Sequence, residues 1–203
     1  MAELLGAEEG AKLVKQARNA VDQYLQGKEP FPSLSGGVFE EKRGIFVTLH
    51  THPRNELRGC IGFIQAHKPL KDIVIEAAVH SALHDTRFQP VRKDELQNIV
   101  FEISVLTPPE LMHSSSPEER ANEVKKGTHG LIIEYGAASG LLLPQVAIEW
   151  NWNSKEFLEA VCQKAGLPRD MWKSASAKLY LFQAQIFSEE TPAGKIVQKK
   201  LVA

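Results

Sequence analysis

The apolar positions of this chain change period several times, and the changes mark its elements. Between about Gly6 and Gln26, Leu13, Ala17, Val21 and Tyr24 recur at helical spacing, with Val14, Ala20 and Leu25 broadening the stripe. That spacing predicts an amphipathic helix laid on a core and stopped at Gly27. Pro30, Pro32 and the Gly36-Gly37 pair make residues 28–43 an irregular connector. Gly44 to His50 is rich in β-branched and aromatic residues and reads as a strand. Thr51 to Glu56 is a turn, and a second strand runs from about Leu57 to Ile64. Pro69 opens a helix that continues to about His84, whose few charges predict deep burial. A connector from Asp85 to Leu96 follows, with a short helix near Lys93. Ile99 to Leu106 is then a third strand, stopped by Pro108-Pro109. Ser114 to Glu119 reads as a polar surface loop.

The same order returns in the second half. Gly130 to Tyr135 and Gly140 to Leu143 read as a hairpin around Gly136–Ser139. A helix from about Ser154 to Ala165 is capped by Asn153 or Ser154 and ended by Gly166 and Pro168. Lys178 to Ser188 alternates as a single strand. Each half therefore reads β-β-α-β, which predicts a duplication of topology, not of sequence, over roughly 44–110 and 129–188. Two such units most simply share one antiparallel or mixed sheet with helices packed on it, an α+β fold in which 1–203 form a single domain.

Composition narrows the function classes. The chain has 203 residues, 43% hydrophobic and 24% charged, with a net charge of -1. Nothing in that balance creates a field for nucleic acid or anionic membrane. No apolar run reaches the ~20 residues that span a bilayer, and the start lacks the pattern of a signal peptide. The cysteines, Cys60 and Cys162, lie far apart and read as two reduced thiols of a cytoplasmic protein.

Polar chemistry interrupts the core at Leu57-Arg58-Gly59-Cys60-Ile61-Gly62. Side chains alternate across a strand, so Arg58, Cys60 and Gly62 share one face. If the odd-numbered apolar sets of the hairpin bury together, Thr48 and His50 stand beside Arg58 and Cys60. Gly62 would leave a bare patch for a ligand to approach the backbone. A guanidinium near the thiol favours thiolate, and the imidazole supplies a base. The alternative is a cysteine packed as a small hydrophobe, with Arg58 tied to a carboxylate.

The hexapeptide resembles the hallmark of the AMMECR domain family. The similarity continues at Ser81–Pro90, where Asp85, Arg87, Phe88 and Pro90 match, and at Glu102–Thr107, Gly127–Gly130 and Leu143–Ala147 with Trp152. Lys164–Pro168 with Trp172 is similar to archaeal members. The resemblance implies an α+β fold with a larger and a smaller lobe around a cleft, and no established reaction. It also implies an association with Memo-like and radical S-adenosylmethionine proteins. No catalytic residue and no cofactor comes with it.

Other constellations complete the candidate set. Asp85 and Arg87 offer a carboxylate and a cation, either to a ligand or to each other. Glu102 shares a strand face with Ser104 and needs a cation, for which Arg58 or Arg87 is the candidate. His129, followed by Gln145 and Glu149, opens the second half. His80 and His84 have metal-ligand spacing but no third ligand in the pattern, so no metal is assigned. Cys162 and the tryptophans Trp150, Trp152 and Trp172 read as packing residues, and Lys195, Lys199 and Lys200 as a solvated tail. Two function classes follow. In one, an enzyme or enzyme accessory binds a small polar or anionic ligand through Arg58, Gly59, Gly62, Asp85, Arg87 and His50. Cys60, Glu102 and His129 are then its catalytic candidates. In the other, a non-catalytic adaptor docks a peptide or partner enzyme on the same face.

Overall fold

The computed structural model describes residues 4–114 and 116–199. The fold is α+β, built from two compact units. One unit holds the described residues up to Leu106 together with Gln185–Lys199, and the other holds Thr107–Ala184.

The first unit begins with α1 (Ala7–Leu25), whose Leu13, Val14, Ala17 and Val21 are fully buried, as their spacing predicts. The hairpin of β1 (Ile45–Thr51) and β2 (Leu57–Phe63) follows, then α2 (Leu70–Leu83) and β3 (Ile99–Leu106). α2 packs on α1 and on both hairpin strands. Its buried Leu70, Ile73, Val74, Ala77 and Ala78 meet Ile45, Val47 and Leu49 of β1 and Phe101, Ile103 and Val105 of β3 in one core. α1 is also strapped to the sheet by an ion pair. Arg18 Nε donates to Glu189 Oε1 at 2.6 Å, and the other carboxylate oxygen accepts from Phe101 N.

The second unit runs β4 (Glu110–Leu111), α3 (Pro117–Glu123), β5 (Gly130–Tyr135), β6 (Ala138–Leu142), α4 (Pro144–Glu149), α5 (Ser154–Lys164) and β7 (Lys178–Phe182). Its core gathers Leu131, Ile133, Phe157, Leu158, Val161, Cys162, Trp172 and Leu179. Asn153 caps α5 through Lys155 N and Glu156 N, and Gly166 follows it with φ +72.

Three expectations are corrected. The strands, with β8 (Ala184–Glu189) and β9 (Ile196–Lys199) completing the set, form two sheets, not one shared sheet: a five-stranded sheet β2-β1-β3-β8-β9 and a four-stranded sheet β4-β7-β5-β6. The segment Lys178–Ser188 is not one strand. It divides into β7 and β8 (Ala184–Glu189), which belong to different sheets. The residue between them, Gln183, is taken out of either ladder: its N–H donates to Thr107 Oγ1 and its carbonyl accepts from Thr107 N, each at 2.9 Å. Finally, the second half of the expected Ser114–Glu119 loop is the start of α3, where Ser116 and Glu119 form a reciprocal cap, while Ser115 lies outside the described residues. Within each sheet the order is equivalent: β1 pairs antiparallel with β2 and β3, and β5 with β6 and β7. Among the described residues no helix is long and apolar enough to cross a membrane.

Candidate functional site

The hexapeptide is the edge strand β2, and its register with β1 sets the geometry. Phe46 faces Gly62, Val47 faces Ile61, Thr48 faces Cys60 and Leu49 faces Gly59. His50 then faces Leu57, so Arg58 is the extra residue of a bulge. The expected pairing of Thr48 with Cys60 is present, while His50 stands opposite Leu57 and not Arg58. Across the other side of β1, Thr48 faces Glu102. Cys60, Thr48 and Glu102 thus form one polar row over three strands. The Thr48 hydroxyl donates to Cys60 Sγ across 3.3 Å.

Both glycines serve packing. A Cβ on Gly59 would collide with the carbonyl oxygen of Ser81, so the glycine lets the last turn of α2 meet the strand. That approach delivers the Ser81 hydroxyl, which accepts from Ile61 N at 2.8 Å and donates to Val47 O at 2.7 Å, joining the two strands. Gly62 does not leave the bare patch expected of it. The ring of Phe46, its partner in register, fills the space a side chain would need.

The connector after α2 then grips Cys60 by its backbone. Asp85 Oδ2 accepts from Cys60 N at 2.8 Å, and Arg87 Nη2 donates to Cys60 O at 3.1 Å. Asp85 and Arg87 form a fork of their own, Nε to Oδ1 at 2.9 Å and Nη2 to Oδ2 at 2.6 Å. The Arg87 hydrogen bonds hold the Asp85 carboxyl well below the usual carboxylate range against the opposing effect of burial, helped by the N–H of Cys60. Asp85 in turn raises the Arg87 pKa, with Cys60 among the smaller contributors.

Every expected cation–carboxylate pairing is resolved, and two come out differently. Glu102 pairs with neither Arg58 nor Arg87 but with Lys199 of β9 (Ile196–Lys199), at 2.5 Å. Lys199 is therefore part of the sheet and not of a solvated tail; Lys200 lies outside the described residues. Arg58 donates to Gln89 O at 2.9 Å and to Glu95 Oε2 at 2.8 Å, which leaves it committed to the connector. The guanidinium that touches Cys60 is that of Arg87, through the backbone carbonyl. Arg87 spends Nε and Nη2 on Asp85 and Cys60, and among the described residues its Nη1 makes no hydrogen bond. Its side chain is 54% exposed.

The remaining candidates are placed as follows. His50 is half-buried beside this row, and its Nδ1 is buried without a hydrogen-bond partner among the described residues. His129, Gln145 and Glu149 belong to the second unit. His129 is held in a turn, with Lys125 N donating to its Nδ1 at 3.3 Å. Burial lowers its pKa, as does the charge of Lys125, against the opposing influence of Glu123 and Glu110. His80 and His84 meet edge-to-face with centroids 5.2 Å apart, next to Phe63. Among the described residues no three His, Cys, Asp or Glu side chains gather as a metal site would need. Cys162 is buried in the core, which pushes its thiol pKa up.

Sequence reasoning missed Ser81, Glu95 and Lys199. Ser81 had a signal, a small hydroxyl in the last turns of a buried helix, where its oxygen must find a partner. Glu95 and Lys199 had none, because their partners lie 37 and 97 residues away.

Comparison with known proteins agrees with the fold and with the motif. The sequence model of one family, described as AMMECR1, matches residues 14–187. Protein MJ0810 of Methanocaldococcus jannaschii is 49% identical over 98% of this chain and 99% of its own. Protein PYRAB00100 of Pyrococcus abyssi is 50% identical over 96% of this chain and 97% of its own. The crystal structure of the uncharacterized protein PH0010 from Pyrococcus horikoshii superposes with a TM-score of 0.86 at 49% identity, covering 95% of this chain and 97% of that one.

Proposed function

The chain belongs to the AMMECR1 family, and on that premise we propose that it binds a small polar or anionic ligand beside Cys60, as an enzyme or enzyme accessory. The observation that carries this reading is the state of Arg87. Its guanidinium is fixed in orientation by Asp85, yet among the described residues Nη1 keeps two donors unspent on an exposed side chain. A pre-oriented guanidinium with free donors suits an oxyanion or a carbonyl oxygen. The Cys60 thiol with its Thr48 hydroxyl, and the row extending to Glu102, give the ligand a nucleophile, a proton carrier and a carboxylate in sequence. Arg58, Gly59, Gly62 and Asp85 build this surface from behind, and His50 adds an imidazole at its side. Two unbridged thiols suit a reducing, cytoplasmic compartment.

The adaptor reading has its own observation. Leu57 at the start of β2 and Ile64 just past its end are 40% and 41% exposed, aliphatic surface that flanks a polar site. A peptide or a partner enzyme of the Memo-like or radical S-adenosylmethionine type would cover them. A thermal-shift screen against small polar and anionic metabolites separates the two. A ligand that raises the melting temperature of the wild type, and fails to do so for Arg87→Ala and Cys60→Ser, supports the first reading. Stabilisation untouched by both substitutions removes it. A protein partner whose binding is lost in Leu57→Ser and Ile64→Ser, with no small ligand found, favours the second.

A further inference from the structure

β2 is an edge strand, and the edge of a sheet offers unpaired donors and acceptors to any strand that reaches it. Cys60 is the central residue of that edge, and both its N–H and its carbonyl turn away from β1. A neighbouring strand would meet this pair with one acceptor and one donor. The protein meets it with Asp85 Oδ2 at 2.8 Å and Arg87 Nη2 at 3.1 Å. Those two side chains therefore occupy the hydrogen-bonding positions of a missing strand.

The strand they cover is complementary to itself. Antiparallel pairing about a twofold axis through Cys60 sets Gly59 against Ile61 and Arg58 against Gly62 of the second copy, a small residue opposite a large one each time. The two Cys60 residues would exchange both backbone hydrogen bonds across the axis. Leu57 and Ile64, exposed at the ends of the strand, would gain cover from the partner copy. We propose that the Asp85–Arg87 arm is a seal on the β2 edge, and that it holds back pairing of this edge with the same edge of a second copy of the chain. The seal is independent of any ligand beside Cys60, because its readout is mass and not ligand binding.

The test compares the wild type with Asp85→Ala/Arg87→Ala and with Asp85→Asn/Arg87→Lys, which keeps an acceptor and a donor on the arm. Light scattering across a concentration series should show self-association strengthened about tenfold or more in the alanine pair, while the conservative pair stays close to wild type. Cross-strand partners of this kind stand about 5.5 Å apart at Cα, within disulfide reach. Mild oxidation should therefore trap the alanine-pair dimer through Cys60 and Cys60 of its second copy, and Cys60→Ser should abolish the trap. Should the double substitution fail to fold, Arg87→Ala alone, at an exposed side chain, carries the comparison. A folded alanine variant that remains as monomeric as wild type overturns the proposal. So does a dimer that cannot be trapped at Cys60, or a wild type already paired through this strand.

Discussion

Glu102 of β3 and Lys199 of β9 form an ion pair at 2.5 Å, joining two strands 97 residues apart in sequence. Glu102 is 9% exposed, and among the described residues its carboxylate pairs with that cation alone. Lys199→Ala should cost about 1–3 kcal/mol in urea denaturation, the range for leaving a buried group unpaired. Adding Glu102→Gln should recover part of the loss. A Lys199→Ala variant within about 0.5 kcal/mol of wild type would show that water replaces the lysine without penalty.

Gly59→Ala should be the most damaging small change in the hexapeptide. Its new methyl meets the backbone oxygen of Ser81 and not a side chain that can swing away, so relief requires moving α2 from the sheet. A loss of about 3 kcal/mol or more is expected. Thermal melts of soluble variant would refute the collision if the midpoint fell by only a degree or two.

Thr48→Val removes the hydrogen bond to Cys60 Sγ while keeping the shape of the side chain. Alkylation of Cys60 by iodoacetamide, followed by intact mass, should slow severalfold, because the hydroxyl that favours the developing thiolate is gone. An unchanged rate would assign that hydrogen bond to packing alone.

His129 should make stability fall on mild acidification. Its pKa is lowered by burial, with Lys125 adding to the effect. Above about pH 6.5, the ordinary imidazole value, both folded and unfolded chains carry it neutral. Below that pH the unfolded chain accepts a proton that the folded chain resists, so stability present above pH 6.5 is lost as pH falls through the folded value. The pH dependence of unfolding between 7.5 and 5 should flatten in His129→Gln. The Asp85 carboxyl is lowered too, so its contribution stays constant over the same window and is lost only at far stronger acidity. An identical slope in His129→Gln and wild type would place the acid sensitivity elsewhere.

How much of this was legible in the chain depended on the range of the interaction. α1 and α5 follow from the periodicity of one buried stripe and the residues at their ends, α2 from Pro69 and its scarcity of charge, and the β1–β2 hairpin from alternation around a turn. The face that joins Cys60 to Thr48 follows from alternation, since their pairing lies on the ladder side of the bulge where strict period two still holds. The bulge itself is invisible, because no local residue signals that Arg58 drops out of register. The division at Gln183 is equally hidden: alternation runs unbroken through Phe182 and Ala184 while the chain changes sheets. β9 was concealed by its polar end, Gln198 and Lys199, the second of which reaches the Glu102 carboxylate. The Ser116–Glu119 cap was a readable signal for α3, outweighed by a run of polar residues that resembled a loop.

The passage of the chain back into its first sheet has a consequence for biosynthesis. β1, β2 and β3 leave the ribosome together, but β8, which lies beside β3, follows only after the whole of the second unit. Until then the flank of β3 opposite β1 has no neighbour, and α1 lacks Glu189, the counter-ion of Arg18. The second unit, Thr107–Ala184, is contiguous and has every strand of its own sheet before β8 emerges. The order of synthesis therefore favours completion of the later-encoded unit first, with the amino-terminal half waiting for the last strands to close it.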